Sequence, residues 1–100
     1  MILHDIATAR AGDKGNASQI AVIARDPAHY GLICEKLTAE LVAKVFAGIA
    51  AGPVTRHEAP GLSALVFILE NALGGGVSIS LASDPHGKSL SSLMLGIRLE

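Results

Sequence analysis

The stretch Ala9-Arg10-Ala11-Gly12-Asp13-Lys14-Gly15-Asn16 stands between two apolar runs, Met1 to Ala9 and Gln19 to Ala24. Both runs are short and strand-like, so the chain between them has to reverse. Gly12 and Gly15 bracket one acid and one base. Glycine reaches positive φ without steric cost, and Asp and Asn are the next best turn formers. The pattern predicts an antiparallel hairpin with a long polar connection, and long connections inside small domains usually have a use. That connection is the first place to look for a site.

The rest of the chain supplies the layers around that hairpin. Ile2 to Ala9 alternates as a half-buried strand, and Gln19 to Ala24 is apolar on both faces, as a central strand would be. Asp26-Pro27 reads as a helix start, with Tyr30, Ile33, Cys34 and Leu37 on one face. Thr38 is placed to cap a second helix with Leu41, Val42, Val45, Phe46 and Ile49 in an apolar stripe, closed by Gly52-Pro53. Val54 to Glu58 reads as a short edge strand, and Gly61 to Leu73 has a helical stripe at Leu62, Leu65, Val66, Leu69, Ala72 and Leu73. Val77 to Leu81 alternates as a strand, and Asp84-Pro85-His86-Gly87 is turn chemistry. Leu93, Leu95, Ile97 and Leu99 alternate as a last strand, with a short helical turn over Ser89 to Leu93 as the other option. Helices of this kind need a sheet face to cover. The predicted class is α+β, a two-layer sandwich of an antiparallel or mixed sheet with helices on one face. Its middle is like the split βαβ of ferredoxin-like folds.

The 100 residues suit a single domain, residues 1–100, with no composition break. A chain of this length buries roughly 65% of its unfolded surface, and with only 3% aromatic residues its core must be aliphatic. The net charge is −1 and no basic stripe exists, which argues against nucleic acid as a partner. No apolar run approaches the ~20 residues that cross a bilayer, and Met1-Ile2-Leu3-His4-Asp5 lacks the basic start of a secretory signal. Cys34 has no second cysteine to pair with, which fits a reducing compartment. The expectation is a soluble cytoplasmic protein.

Two stretches could carry chemistry. In the charged stretch, Lys14 can hold a carboxylate or phosphate while Asp13 acts as a base or orients it. A solvated turn is the plain alternative. Gly74-Gly75-Gly76 can present successive backbone N–H groups as an anion nest, with Ser78 beyond it, or simply end a helix. Ala82 to Ser89 matches a loose phosphate-loop pattern, but Pro85 lies within the loop and too little chain follows for a magnesium-site acid. His4, His29, His57 and His86 show no paired spacing, so no metal is expected, and no cofactor either. Cys34 beside Ile33 reads as core, and His57-Glu58 as an exposed edge pair.

The string Ala9 to Asn16, taken with Ile20-Ala21-Val22-Ile23-Ala24-Arg25, resembles the ARSGDKG…NIGVIAR signature of a bacterial family. That family is the ferredoxin-fold domain at the C-terminal end of AtuA-type acyclic terpene utilisation proteins, also found as a separate short chain. Leu37-Thr38-Ala39-Glu40, Phe46-Ala47-Gly48, Gly52-Pro53-Val54 with Arg56, Pro60-Gly61, Ala72 to Gly76, Asp84, Gly87-Lys88 and Leu90 extend the resemblance over nearly the whole chain. Gln19, Ala11 and Ser78-Ile79 depart from the family's Asn, Ser and Thr-Arg.

The resemblance implies a standalone small subunit of a bacterial catabolic enzyme complex. Its partner would be a large AtuA-type chain, and its substrates acyl-CoA or related carboxylic compounds, through chemistry such as hydration or dehydration. Asp13 and Lys14 would then be the catalytic pair. Arg10, Gly12, Gly15, Asn16, Gly74, Gly75, Gly76 and Ser78 would bind substrate. The alternative is a non-catalytic oligomerisation module with no ligand of its own.

Overall fold

Residues 1–14, 17–47, 52–70 and 88–99 are described by the computed structural model of the chain. Gly15, Asn16, Ile49, the triplet Gly74–Gly76, the expected strand Val77 to Leu81 and the turn Asp84 to Gly87 lie outside the described residues. Among the described residues the order is β1 (Ala7–Lys14), β2 (Ala17–Ala24), α1 (Tyr30–Lys36), α2 (Ala39–Val45), β3 (Val54–Ala59), β4 (Ala64–Glu70) and α3 (Lys88–Leu95). Single 3-10 turns cover Leu3–Asp5, Pro27–His29 and Pro60–Leu62. The four strands make one sheet in the order β1-β2-β4-β3, every neighbouring pair antiparallel.

Strand alternation decides which face is covered. Ile20, Val22 and Ala24 of β2 and Leu65, Phe67 and Leu69 of β4 are buried on one face, with Ala7 of β1. Ile33, Leu37, Val42, Phe46, Leu90 and Met94 from the helical layer pack with them in one cluster, which is mainly aliphatic but takes in both phenylalanines, Phe46 and Phe67. The expected α+β two-layer arrangement, ferredoxin-like with helices on one face, is the arrangement found. The opposite face carries Ala21, Ile23, Val66 and Ile68 in its centre, each only half-buried.

The helix starts follow the sequence closely. The Asp26 carboxylate accepts from the Ala28 N–H at 3.0 Å with Pro27 behind it, and Thr38 Oγ1 accepts from the Leu41 N–H at 3.1 Å. Val54 to Ala59 is an edge strand, as its polarity implied. Four expectations fail. The first strand does not begin at Ile2: Leu3–Asp5 is a 3-10 turn, and the strand runs instead from Ala7 through the charged stretch to Lys14. Helix α2 ends at Val45 with Phe46 as its cap, short of Gly52-Pro53. Gly52 and Pro53 bond to Glu70 instead, at 3.1 Å in both directions.

The largest correction is Gly61 to Leu73. Its middle is β4, a central strand buried on one face and half-buried on the other, so apolar residues occur at every position and mimic a helical stripe. Leu93 and Leu95 belong to α3 and not to a last strand, as the helical-turn option for Ser89 to Leu93 had it. Among the described residues of the tail, Arg98 forms an isolated bridge with Ile2, while Ile97 and Leu99 are buried. The Leu3 N–H donates to the Ile97 carbonyl at 2.8 Å, and the Leu99 N–H to Met1 at 3.0 Å, tying the tail to the N-terminal turn.

Candidate functional site

The charged stretch is the end of a tight hairpin. Arg10 pairs with Ala21, Ala11 with Ile20, Gly12 with Gln19, Asp13 with Ser18 and Lys14 with Ala17. Only Gly15 and Asn16 separate the last paired positions. Alternation assigns Arg10, Gly12 and Lys14 to the register positions of the open face, and Ala11 and Asp13 to those of the helix-covered face. Asp13 and Lys14 therefore hold adjacent positions of opposite sense. Arg10 is exposed on the open face, in the row that crosses Ala21 and Val66 to His57 on β3.

Gly12 does not bend the chain. It is exposed and extended within β1, and a Cβ built there meets nothing within 4 Å. Gly12→Ala is expected to leave stability unchanged or raise it by up to about 1 kcal/mol, because alanine loses less entropy in a strand. Urea unfolding reads this out, and a loss of that size would show that the position requires glycine. The one residue besides glycine with positive φ among those described is Ser63, at 51°, closing the turn between β3 and β4. Its carbonyl accepts from the Ala24 N–H at 2.9 Å, which holds the strained turn against the end of β2.

Ser18 went unnoticed in the sequence. It is fully buried on the covered face of β2, opposite Asp13, and its hydroxyl donates to the Gly12 carbonyl at 3.4 Å. The signal was its place in the Ser18-Ile20-Val22-Ala24 alternation, readable only once the strand start at Ala17 is known. Arg56 was also passed over for chemistry. Its guanidinium donates to the carbonyls of Cys34 at 2.7 Å and Leu37 at 3.0 Å, and pairs with Glu58 at 3.1 Å. These bonds satisfy carbonyls at the end of α1, a structural duty.

Tyr30 donates its hydroxyl to the Ala64 carbonyl at 3.1 Å. Burial first, and the neighbouring Cys34 thiol next, push its phenol above the ordinary range, so it is protonated at neutral pH. Cys34 itself is half-buried and packs against the core. His4 and His57 are exposed at separate places, and among the described residues no group of three His, Cys, Asp or Glu side chains could hold a metal. Nor is any described helix long and apolar enough to cross a membrane.

The connection is two residues and not the long polar loop expected, since the charged stretch is itself paired, while the α+β frame is the one the resemblance implies. The sequence matches the family model for the AtuA ferredoxin-like domain over residues 1–100, the whole chain. This chain belongs to the AtuA ferredoxin-like domain family. No curated protein and no solved structure matches it. Within this AtuA ferredoxin-like domain, the hairpin positions Arg10 to Lys14 are the part of the candidate site whose backbone is described. Gly15, Asn16, Gly74, Gly75, Gly76 and Ser78 lie outside the described residues.

Proposed function

We propose that this AtuA ferredoxin-like domain is the small subunit of a catabolic enzyme whose large subunit is an AtuA-type chain, acting on acyl-CoA or related carboxylic substrates. Family membership over all of residues 1–100 is the observation that carries the reading. The charged hairpin supplies its chemistry. Arg10 neutralises the anionic part of the substrate, and Lys14, at a position of the same strand face, stabilises the negative charge that develops on the reacting group. Asp13 orients the reacting group or exchanges a proton with it. The backbone of Gly12, Gly15 and Asn16, with Gly74, Gly75, Gly76 and Ser78, completes the binding surface where the large chain meets the hairpin. Hydration or dehydration of an acyl thioester is the reaction this set of groups suits, since it needs a proton shuttle and a stabilised oxyanion.

Co-expression with a large AtuA-type chain tests the pairing. A two-chain complex that turns over an α,β-unsaturated acyl-CoA, while the small chain alone does not, is the expected result. Failure of the chains to associate would overturn it. A second reading, an assembly module without a ligand, draws on the open sheet face with half-buried Ala21, Ile23, Val66 and Ile68 at its centre. Size-exclusion chromatography of the chain alone separates the two: a stable homo-oligomer that ignores the large chain favours the module.

A further inference from the structure

Ser18 is the polar residue that is fully buried among the described residues. Its row in β2 is otherwise Ile20, Val22 and Ala24, and its neighbour on β4 is Leu69, also fully buried. A hydroxyl in such a place destabilises the fold unless it is well hydrogen-bonded, and alanine fills nearly the same space without that penalty. Its acceptor is the Gly12 carbonyl at 3.4 Å, long against the usual O–H···O distance of about 2.7–2.8 Å. A bond of that length offsets little of the desolvation. Buried groups that the fold itself does not need are expected where a chain has work to do.

The Gly12 carbonyl and the Asp13 nitrogen belong to one planar peptide, which also fixes the Asp13 Cα. Holding that carbonyl therefore holds the backbone from which Asp13 projects. Gly12 gives the chain its widest choice of φ and ψ at this point. It is exposed, and a Cβ built there meets nothing within 4 Å, so the peptide has room to swivel. Among the described residues β1 is also an edge strand, laddered to β2 on one side. At the far end of β1 the Ala7 carbonyl is held in a comparable way, by Arg25 Nε at 3.2 Å. We propose that Ser18 is a positioning residue for Asp13: its hydroxyl, bonded to the Gly12 carbonyl, holds the Gly12–Asp13 peptide in the orientation that proton exchange at Asp13 requires. The inference rests on the role proposed for Asp13, whereas the backbone restraint is measurable without it.

NMR relaxation of the backbone amides in the full chain reads the restraint, and kinetics of the two-chain complex read its use. In Ser18→Ala the order parameters at Gly12, Asp13 and Lys14 should fall by about 0.1 from the rigid value of about 0.85. The unfolding equilibrium constant should change less than about threefold, because water replaces the hydroxyl at the exposed Gly12. Turnover of an α,β-unsaturated acyl-CoA should show kcat about tenfold lower with KM unchanged, the effect of a small misplacement at the reacting group. Ser18→Thr keeps the hydroxyl and should restore both readouts. Should its extra methyl unfold the chain, Gly12→Ala added to Ser18→Ala serves instead, restoring the order parameters by narrowing φ and ψ at the same peptide. Unchanged order parameters in Ser18→Ala overturn the proposal whether or not the complex is active, and so does a Ser18→Ala complex with full kcat. An unaltered complex without turnover overturns the role of Asp13, and with it the use of the restraint, even where relaxation shows the restraint itself.

Discussion

Phe67→Ala is expected to lower the unfolding free energy by about 3–5 kcal/mol, the usual cost of emptying a fully buried aromatic site. Phe67 is 0% exposed at the middle of β4, paired with Ile20 on one side and Arg56 on the other. With 3% aromatic residues in the chain, the aliphatic neighbours cannot collapse to refill the space of a ring. A domain of this size has roughly 5–15 kcal/mol in total, so the variant stands near the edge of folding. The experiment also separates two descriptions of this segment. A helix over Gly61 to Leu73 would leave Phe67 off the stripe formed by Leu62, Leu65, Val66 and Leu69, and its removal would cost little. Urea unfolding of Phe67→Ala, with Phe67→Leu as a milder comparison, reads the difference. A loss below about 1.5 kcal/mol would contradict a central buried strand.

Arg56→Ala should cost about 2–3 kcal/mol, although the residue sits on an edge strand. Two of its N–H groups satisfy the Cys34 and Leu37 carbonyls, which are at the end of α1 where no intrahelical donor remains. Removing the guanidinium leaves both carbonyls without that donor, in a part-buried place, and frees the Glu58 carboxylate. The exposed ion pair itself contributes little of this. Arg56→Lys should recover only part, because both carbonyls accept from the single nitrogen Nη1, which a shorter side chain has to reach with its ammonium, and the second nitrogen that meets Glu58 is lost. Glu58→Ala should cost under about 1 kcal/mol. A loss for Glu58→Ala equal to that of Arg56→Ala would place the stabilisation in the ion pair and not in the helix end.

Local chemistry was readable wherever it acts within a few residues. The caps at Asp26 and Thr38, the edge character of Val54 to Ala59 and the central place of Gln19 to Ala24 all follow from side chains close in sequence. Where burial on both faces sets the composition, periodicity loses its meaning. Ala64 to Glu70 is apolar nearly throughout because it lies between β2 and β3, so strand and helix templates fit it equally. The charged stretch misleads for the opposite reason. Ala7-Thr8-Ala9-Arg10-Ala11-Gly12 does alternate, but alanine is a weak strand former and a glycine between charges resembles a turn. Residues joined only by the register, such as Ser18 beneath Gly12 and Arg56 against the end of α1, have no local signature at all. The hairpin could be located from its residues; which of them share a face could not.

The two-chain complex carrying Lys14→Ala puts the working role of the hairpin to its sharpest test, with assembly and acyl-CoA turnover measured on the same sample. The expected result is a complex of unchanged mass and stability whose kcat falls about 10²–10³-fold, the usual cost of losing one group that stabilises developing negative charge. Full assembly together with undiminished turnover would contradict the account and leave the stretch from Arg10 to Lys14 as an ordinary strand end.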